Sequence, residues 1–289
     1  MKKGFNITCL LLLIGVGAFF FSRISVGFSL SEIVATTISD EAPFTPNPLL
    51  EQSFVYLGKG EQFYAFLGED QATVLKFFRH KTSPSGKEGD LTTLLRSAEL
   101  AYSRLREETG LIAIHLHKSH GLPKVTLVDA IGIRHTVDLN ETEFLLQKRA
   151  EPFCMALDKK MRSGDLAGAK KQIRSLFASL RTQCAQGIHN SDTAFKRNFG
   201  VVGDQAVCID IGSLWDDKRI KEKSGRDEEI RQITARLQRW LKKHYPELLQ
   251  TFVDESNQKH EHKKRTAEHT WDTETKRVFI VNDYAQKTD

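Results

Sequence analysis

The stretch Gly187–Gly212, GIHNSDTAFKRNFGVVGDQAVCIDIG, decides how the rest of the chain is read. It sets an acidic residue, an asparagine and a second acidic residue, Asp192, Asn198 and Asp210, on two neighbouring loops. Asp210 follows Asp192 by eighteen positions, behind the apolar run Ala206, Val207, Cys208, Ile209 and just ahead of Gly212. A strand that ends in this way delivers a polar side chain at its tip, and carboxylate and amide oxygens are the hard donors that suit Mg²⁺. The plain alternative for each loop is a polar surface turn, for which Asp, Asn and Gly are also the preferred residues.

Working outward, the chain upstream supplies three further features. Gly58-Lys59-Gly60-Glu61-Gln62-Phe63 lies between two apolar runs, and its glycines let backbone N–H groups approach a phosphate closely. Val74-Leu75-Lys76 puts a lysine in an otherwise apolar strand, where an unpaired ammonium is costly. The following helical pattern, 91–108, carries Leu91, Leu94, Leu95, Ala98, Tyr102 and Leu105 at intervals of three and four. Glu99, in the middle of that helix and next to the stripe, is the carboxylate expected to pair with Lys76.

In this order the motifs resemble those of the protein-kinase-like superfamily. Gly58 and Gly60 stand in a G-x-G-x-x-G loop with Phe63 at the third glycine, and Lys76 stands in a V-A-I-K-like strand. Phe144–Ala150 resembles the last strand of the first lobe running into a hinge, where backbone groups meet an adenine edge. Asp210-Ile211-Gly212 is similar to D-F-G. The catalytic-loop match is displaced: His189 lies three residues before Asp192 instead of two, no arginine precedes the aspartate, and Asn198 is six residues beyond it instead of five. The resemblance runs from Phe54 to Trp240, about two thirds of the chain.

That resemblance implies an α+β, two-lobed fold with a small antiparallel β N-lobe bearing one helix and an abbreviated helical C-lobe. It implies an ATP-dependent phosphotransferase, with Mg²⁺ and ATP as phosphoryl donor and a hydroxyl as acceptor. Gly58, Gly60, Lys76 and Glu99 are implied to bind the nucleotide, with Lys76 on its phosphates and Glu99 bracing it. Asp192 is implied to orient the acceptor and take its proton, and Asn198 and Asp210 to hold the metal. No A-P-E element follows Asp210, and only Ser213–Arg226 precedes the next helix, so a small-molecule acceptor suits the chain at least as well as a protein. Two alternatives stay open: a catalytically inactive pseudokinase serving as a binding or scaffolding module, and an unrelated fold.

The flanks divide the chain further. Lys2 and Lys3 precede an uncharged stretch, residues 4–22, that reads as a single membrane anchor or a cleaved signal segment within 1–28. Two lysines before it and only Arg23 soon after favour a cytoplasmic N-terminus and an extracytoplasmic body, where ATP is scarce, so the orientation stays open. Cleavage would make the protein exported or secreted. Residues 29–52 read as a linker around Pro43, Pro46 and Pro48, 53–148 as the β-rich lobe, 149–253 as the helical lobe and 254–289 as a polar tail ending in a strand-like VFIV. Helices are expected over 156–163, 165–186 and 227–244.

Composition adds exclusions. The net charge of +5, from 42 basic and 37 acidic side chains scattered along the chain, gives no basic stripe and no reason to expect nucleic acid. Four separated cysteines, Cys9, Cys154, Cys184 and Cys208, argue against a disulfide framework or a zinc site. His115, His117 and His120 in IHLHKSH are expected on an exposed strand face.

Overall fold

The computed structural model describes residues 28–33, 47–80 and 89–258. Every element named below belongs to one compact unit ending at Asn257; the second unit, apart from Gln258, lies outside the described residues. So do the apolar stretch 4–22, the Pro43 and Pro46 region and the VFIV segment. No helix among the described residues is long and apolar enough to cross a membrane.

The chain is α+β. Three strands, β1 (Phe54–Lys59), β2 (Phe63–Gly68) and β3 (Thr73–Phe78), lead to helix α1 (Gly89–Arg104) and a short α2 (Arg106–Thr109). Then come β4 (Leu111–His115), β5 (Lys124–Val128), β6 (Arg134–Asp138) and β7 (Phe144–Lys148). These seven strands form one sheet in the order β4-β7-β3-β2-β1-β5-β6. The expected antiparallel lobe is corrected to a mixed sheet, because β5 crosses to the free edge of β1 and pairs with it in parallel, Phe54 against Leu127. Strand β6 escapes the periodicity since only Val137 of its five residues is buried.

The two faces of this sheet have different partners. Phe54, Phe66, Leu75, Phe77 and Phe144 pack under Leu122, Leu139, Leu50 and Ile33 on one side. Each wholly buried phenylalanine there contributes about 1.5–3 kcal/mol by leaving water. On the other side α1 lays Leu94, Ala98 and Ala101, with Leu105 just past its end, against Phe63, Phe78 and Leu145, and this layer continues to Ile188, Ile211 and Leu214. The expected linker needs a second correction: Ser29–Ile33 is docked, with Ile33 fully buried and Phe28 edge-on to Tyr64, Phe66 and His135.

After β8 (Glu151–Pro152) the chain turns helical, with α3 (Phe153–Arg162), α4 (Leu166–Ala185), α6 (Lys223–His244) and α7 (Leu249–Asn257) enclosing a core of Leu157, Ile173, Phe177, Leu237 and Phe252. Asp165 caps α4 by accepting the Gly168 N–H at 2.8 Å. Gly187 ends it with a φ of 73°, a left-handed conformation that costs an L-residue about 1–2 kcal/mol. Between α4 and α6 lie β9 (Ile188–Asn190), the one-turn α5 (Phe195–Asn198), β10 (Phe199–Val202), β11 (Gln205–Cys208) and β12 (Leu214–Asp216).

Candidate functional site

Two short pairings bring the aspartates of the Gly187–Gly212 stretch to adjacent loops. The β10–β11 hairpin closes with the Ile209 N–H donating to Asn198 O at 2.7 Å, which seats Asn198 beside the residue before Asp210. Strands β9 and β12 pair Asn190 with Leu214, and the Ser191 N–H donates to Ser213 O at 3.1 Å. The loop carrying Asp192 therefore runs alongside Gly212 and Ser213.

Each side chain has a defined setting. Asp192 is half-buried; its Oδ1 accepts the Ala194 N–H at 2.8 Å, and its other oxygen takes no hydrogen bond among the described residues. Asn198 is 1% exposed and donates through Nδ2 to Asp192 O at 3.2 Å, while its Oδ1 has no partner. Asp210, also half-buried, accepts the Gly212 N–H through Oδ1 at 3.2 Å. Lys76 reaches in from β3 and donates to Ile209 O at 2.5 Å. Burial pushes its ammonium below the ordinary value, against the opposing pull of Asp210 and then Cys208.

Glu99 does not belong to this group. It is exposed, and among the described residues no carboxylate forms an ion pair with Lys76. The reason is helical register: Leu94, Ala98 and Ala101 define the buried face of α1, so Ser97 falls on it and Glu99 turns to solvent. Ser97 donates to Ile211 O and accepts the Leu214 N–H at 2.9 Å. Gln62, at the β1–β2 turn, donates to Gly212 O at 3.1 Å, and a Cβ on Gly212 would lie 1.7 Å from its Oε1. A side chain at Gly212 would therefore have to displace the Gln62 amide and its bond to the Gly212 carbonyl.

Gly58 and Gly60 are different. Neither has left-handed backbone, and a Cβ on Gly58 would meet nothing within 4 Å. The fold itself makes no demand for glycine there. Beside Lys76, cross-strand pairing puts Val55, Leu67 and Val74 on one face with Ala65, and Val55 is 47% exposed. The strip is open at Val55, half-buried at Ala65 and Leu67, and buried at Val74. At the expected hinge, the Lys148 and Arg149 N–H groups are already engaged by Gly110 O and Ala72 O, at 2.8 and 2.7 Å.

Sequence reading also missed the supports beneath the loops. Asn190, 2% exposed, accepts the Asp192 N–H at 3.0 Å. Glu229 on α6 is buried and accepts the Asn190 N–H at 2.8 Å and a bond from His189 Nδ1 at 2.6 Å. Burial pushes the Glu229 carboxyl up, partly offset by those two bonds. Its signal was present in the sequence, since Glu229 adjoins Ile230 and Ile233 on the buried face of α6. Cys208 is a neutral thiol, pushed up to about 12 by burial and then by Asp210, and it donates to Asp210 O at 3.1 Å.

The expected exposed histidine face is corrected in part. His115 is buried, bonded through Nδ1 to Thr142 O at 2.7 Å and through Nε2 to Ser119 Oγ at 2.9 Å, whereas His117 and His120 are exposed. No group of three or more His, Cys, Asp or Glu suited to a metal ion occurs among the described residues. Asn198 and Asp210 nevertheless fit Mg²⁺, which commonly takes only one or two carboxylates and completes its octahedron with phosphates and water. The partnerless, buried Oδ1 of Asn198 is a hard oxygen of the kind such an ion accepts.

No protein-family model matches the chain, and no curated protein matches it. Among solved structures it is similar to WbdD, 14% identical with a TM-score of 0.37, over 72% of this chain and 46% of that one. A structure of WbdD with a kinase inhibitor gives 15% identity and the same TM-score of 0.37, over 74% of this chain and 48% of the other. The chain spans about half the length of these neighbours, and a likeness of this size carries no weight for fold or function.

Proposed function

We propose that this chain is a divergent kinase-like protein that binds Mg·ATP beside Lys76 and transfers a phosphoryl group to a hydroxyl acceptor. The observation that carries the reading is the buried Asn198 Oδ1, which has no hydrogen-bond partner and lies one hairpin rung from Asp210. Leaving such an oxygen unsatisfied costs about 1–3 kcal/mol, a penalty that coordination of a cation removes. Asn198 and Asp210 would hold Mg²⁺, which when bound neutralises charge on the phosphates.

The remaining roles follow from position. Lys76 would exchange Ile209 O for a phosphate oxygen, a better partner for an ammonium in a dry setting. Val55, Leu67 and Val74 give a base an apolar surface, and the open Gly58 leaves backbone accessible to phosphates. Asp192 keeps one carboxylate oxygen free of hydrogen bonds while the other is tied to Ala194, so it is oriented to accept a hydroxyl proton. The segment 4–22 tethers the domain to a membrane in this reading.

A second reading, binding without turnover, is favoured by one set of observations: Lys76 lacks a helix carboxylate, and both hinge donors are engaged. Phosphate transfer from ATP to a panel of small hydroxyl acceptors separates the two. Activity should fall about 10²–10⁴-fold in Asp192→Asn with Mg·ATP binding retained. Wild type that binds Mg·ATP but turns over no acceptor would support the inactive module.

A further inference from the structure

Three side chains of the sheet lobe grip the backbone around Asp210. Lys76 donates to Ile209 O at 2.5 Å, Ser97 donates to Ile211 O, and Gln62 donates to Gly212 O at 3.1 Å. The carbonyls immediately before and after Asp210 are therefore each held by one donor, and the one after it by Ser97. Ser97 also accepts the Leu214 N–H at 2.9 Å, so both sides of its hydroxyl are committed to the same segment.

Buried hydroxyls in helices ordinarily bond back to their own helix. Thr109 and Thr234, both buried, do so here, to Leu105 O and Ile230 O, both at 2.7 Å. Ser97 does not. It is 1% exposed, points off α1 and bonds only across to the Ile211–Leu214 turn. Its neighbours on that face, Leu94, Ala98 and Ala101, pack on Ile211 and Leu214 in the same apolar layer, so the hydroxyl is fixed on all sides.

We infer that Ser97 is a positioning residue for the cation site: it sets the turn that aims the Asp210 carboxylate. This rests on the Mg·ATP reading above. Lys76 has further N–H donors to turn toward a phosphate, and Gln62 stands at the turn beside it, so both lie where a nucleotide arrives. Ser97 is buried behind the segment with both its bonds inside the layer, and so it carries the geometry of the metal ligand through binding.

The test is the Mg²⁺ concentration that gives half-maximal stabilisation of the full chain by ATP, followed by thermal unfolding. Ser97→Ala should raise that concentration about tenfold, while ATP affinity without Mg²⁺ stays within about twofold. Ser97→Thr, which keeps the hydroxyl, should restore the midpoint. Should the alanine variant not fold, Ser97→Cys preserves the volume, weakens the donor and is read in the same way. An unchanged Mg²⁺ midpoint in a folded Ala or Cys variant overturns the inference. Absence of any Mg·ATP effect in wild type overturns the underlying reading first, and the inference with it.

Discussion

A buried lysine needs a counter-group, and in this protein Lys76 has a carbonyl and a more distant carboxylate instead of an ion pair. That substitution of partners changes what mutation should do. Glu99→Ala should shift unfolding free energy by less than about 0.5 kcal/mol in urea denaturation, as for an exposed surface site, and leave nucleotide binding unaltered. A loss of about 1.5 kcal/mol or more, or loss of binding, would return Glu99 to the site. Lys76 stood out in the sequence because a lysine is unusual in an apolar strand, whereas Asp192, Asn198 and Asp210 are ordinary turn residues that stood out only by their order and spacing. Ser97 and Gln62 did not, because a serine or glutamine carries no chemical signature and its role depends on helix register and on contacts between segments over a hundred residues apart.

Among the elements, the docked segment around Glu32 has the clearest mechanical consequence. Glu32 Oε2 accepts from Arg79 Nη2 at 2.7 Å and from Tyr64 Oη at 2.9 Å, and Arg79 Nη1 in turn donates to Gly60 O at 2.8 Å. The residues that follow the apolar N-terminal stretch are thus connected through one guanidinium to the Gly58–Gly60 turn. Burial alone would raise the Glu32 carboxyl, but the bonds from Arg79 and Tyr64 outweigh it and hold it below its ordinary value. A lowered folded-state value stabilises the protein above the unfolded glutamate range, and that contribution is lost as pH falls through the folded value. Glu32→Gln should therefore cost about 1–2 kcal/mol at neutral pH, with the gap to wild type closing at acid pH, below the ordinary glutamate range. An equal gap at both pH values in denaturant titrations would contradict this. The sequence offered a linker here since the prolines after it dominate the composition, and Ile33 and Glu32 find their partners only in the folded sheet.

For the whole molecule, the order of strand-rich then helical segments was readable, with the α4 and α6 stripes close to their expected bounds. The parallel β1–β5 pairing was not, because strand order is settled by which edge remains open after β1, β2 and β3 have paired. The Ile209–Leu214 segment lies where the layers meet, bonded to β3, to α1 and to the β1–β2 turn, while its β11 and β12 flanks pair with β10 and β9. A ligand that engages Asp210 should consequently stabilise the molecule as a unit. Thermal unfolding with and without Mg·ATP measures this directly. At ligand about a hundredfold above its Kd, wild type should gain about 2.7 kcal/mol, and most of that gain should be lost without Mg²⁺ and in Asp210→Ala. No gain in wild type, or an equal gain in Asp210→Ala, would contradict a metal-nucleotide site at Asp210.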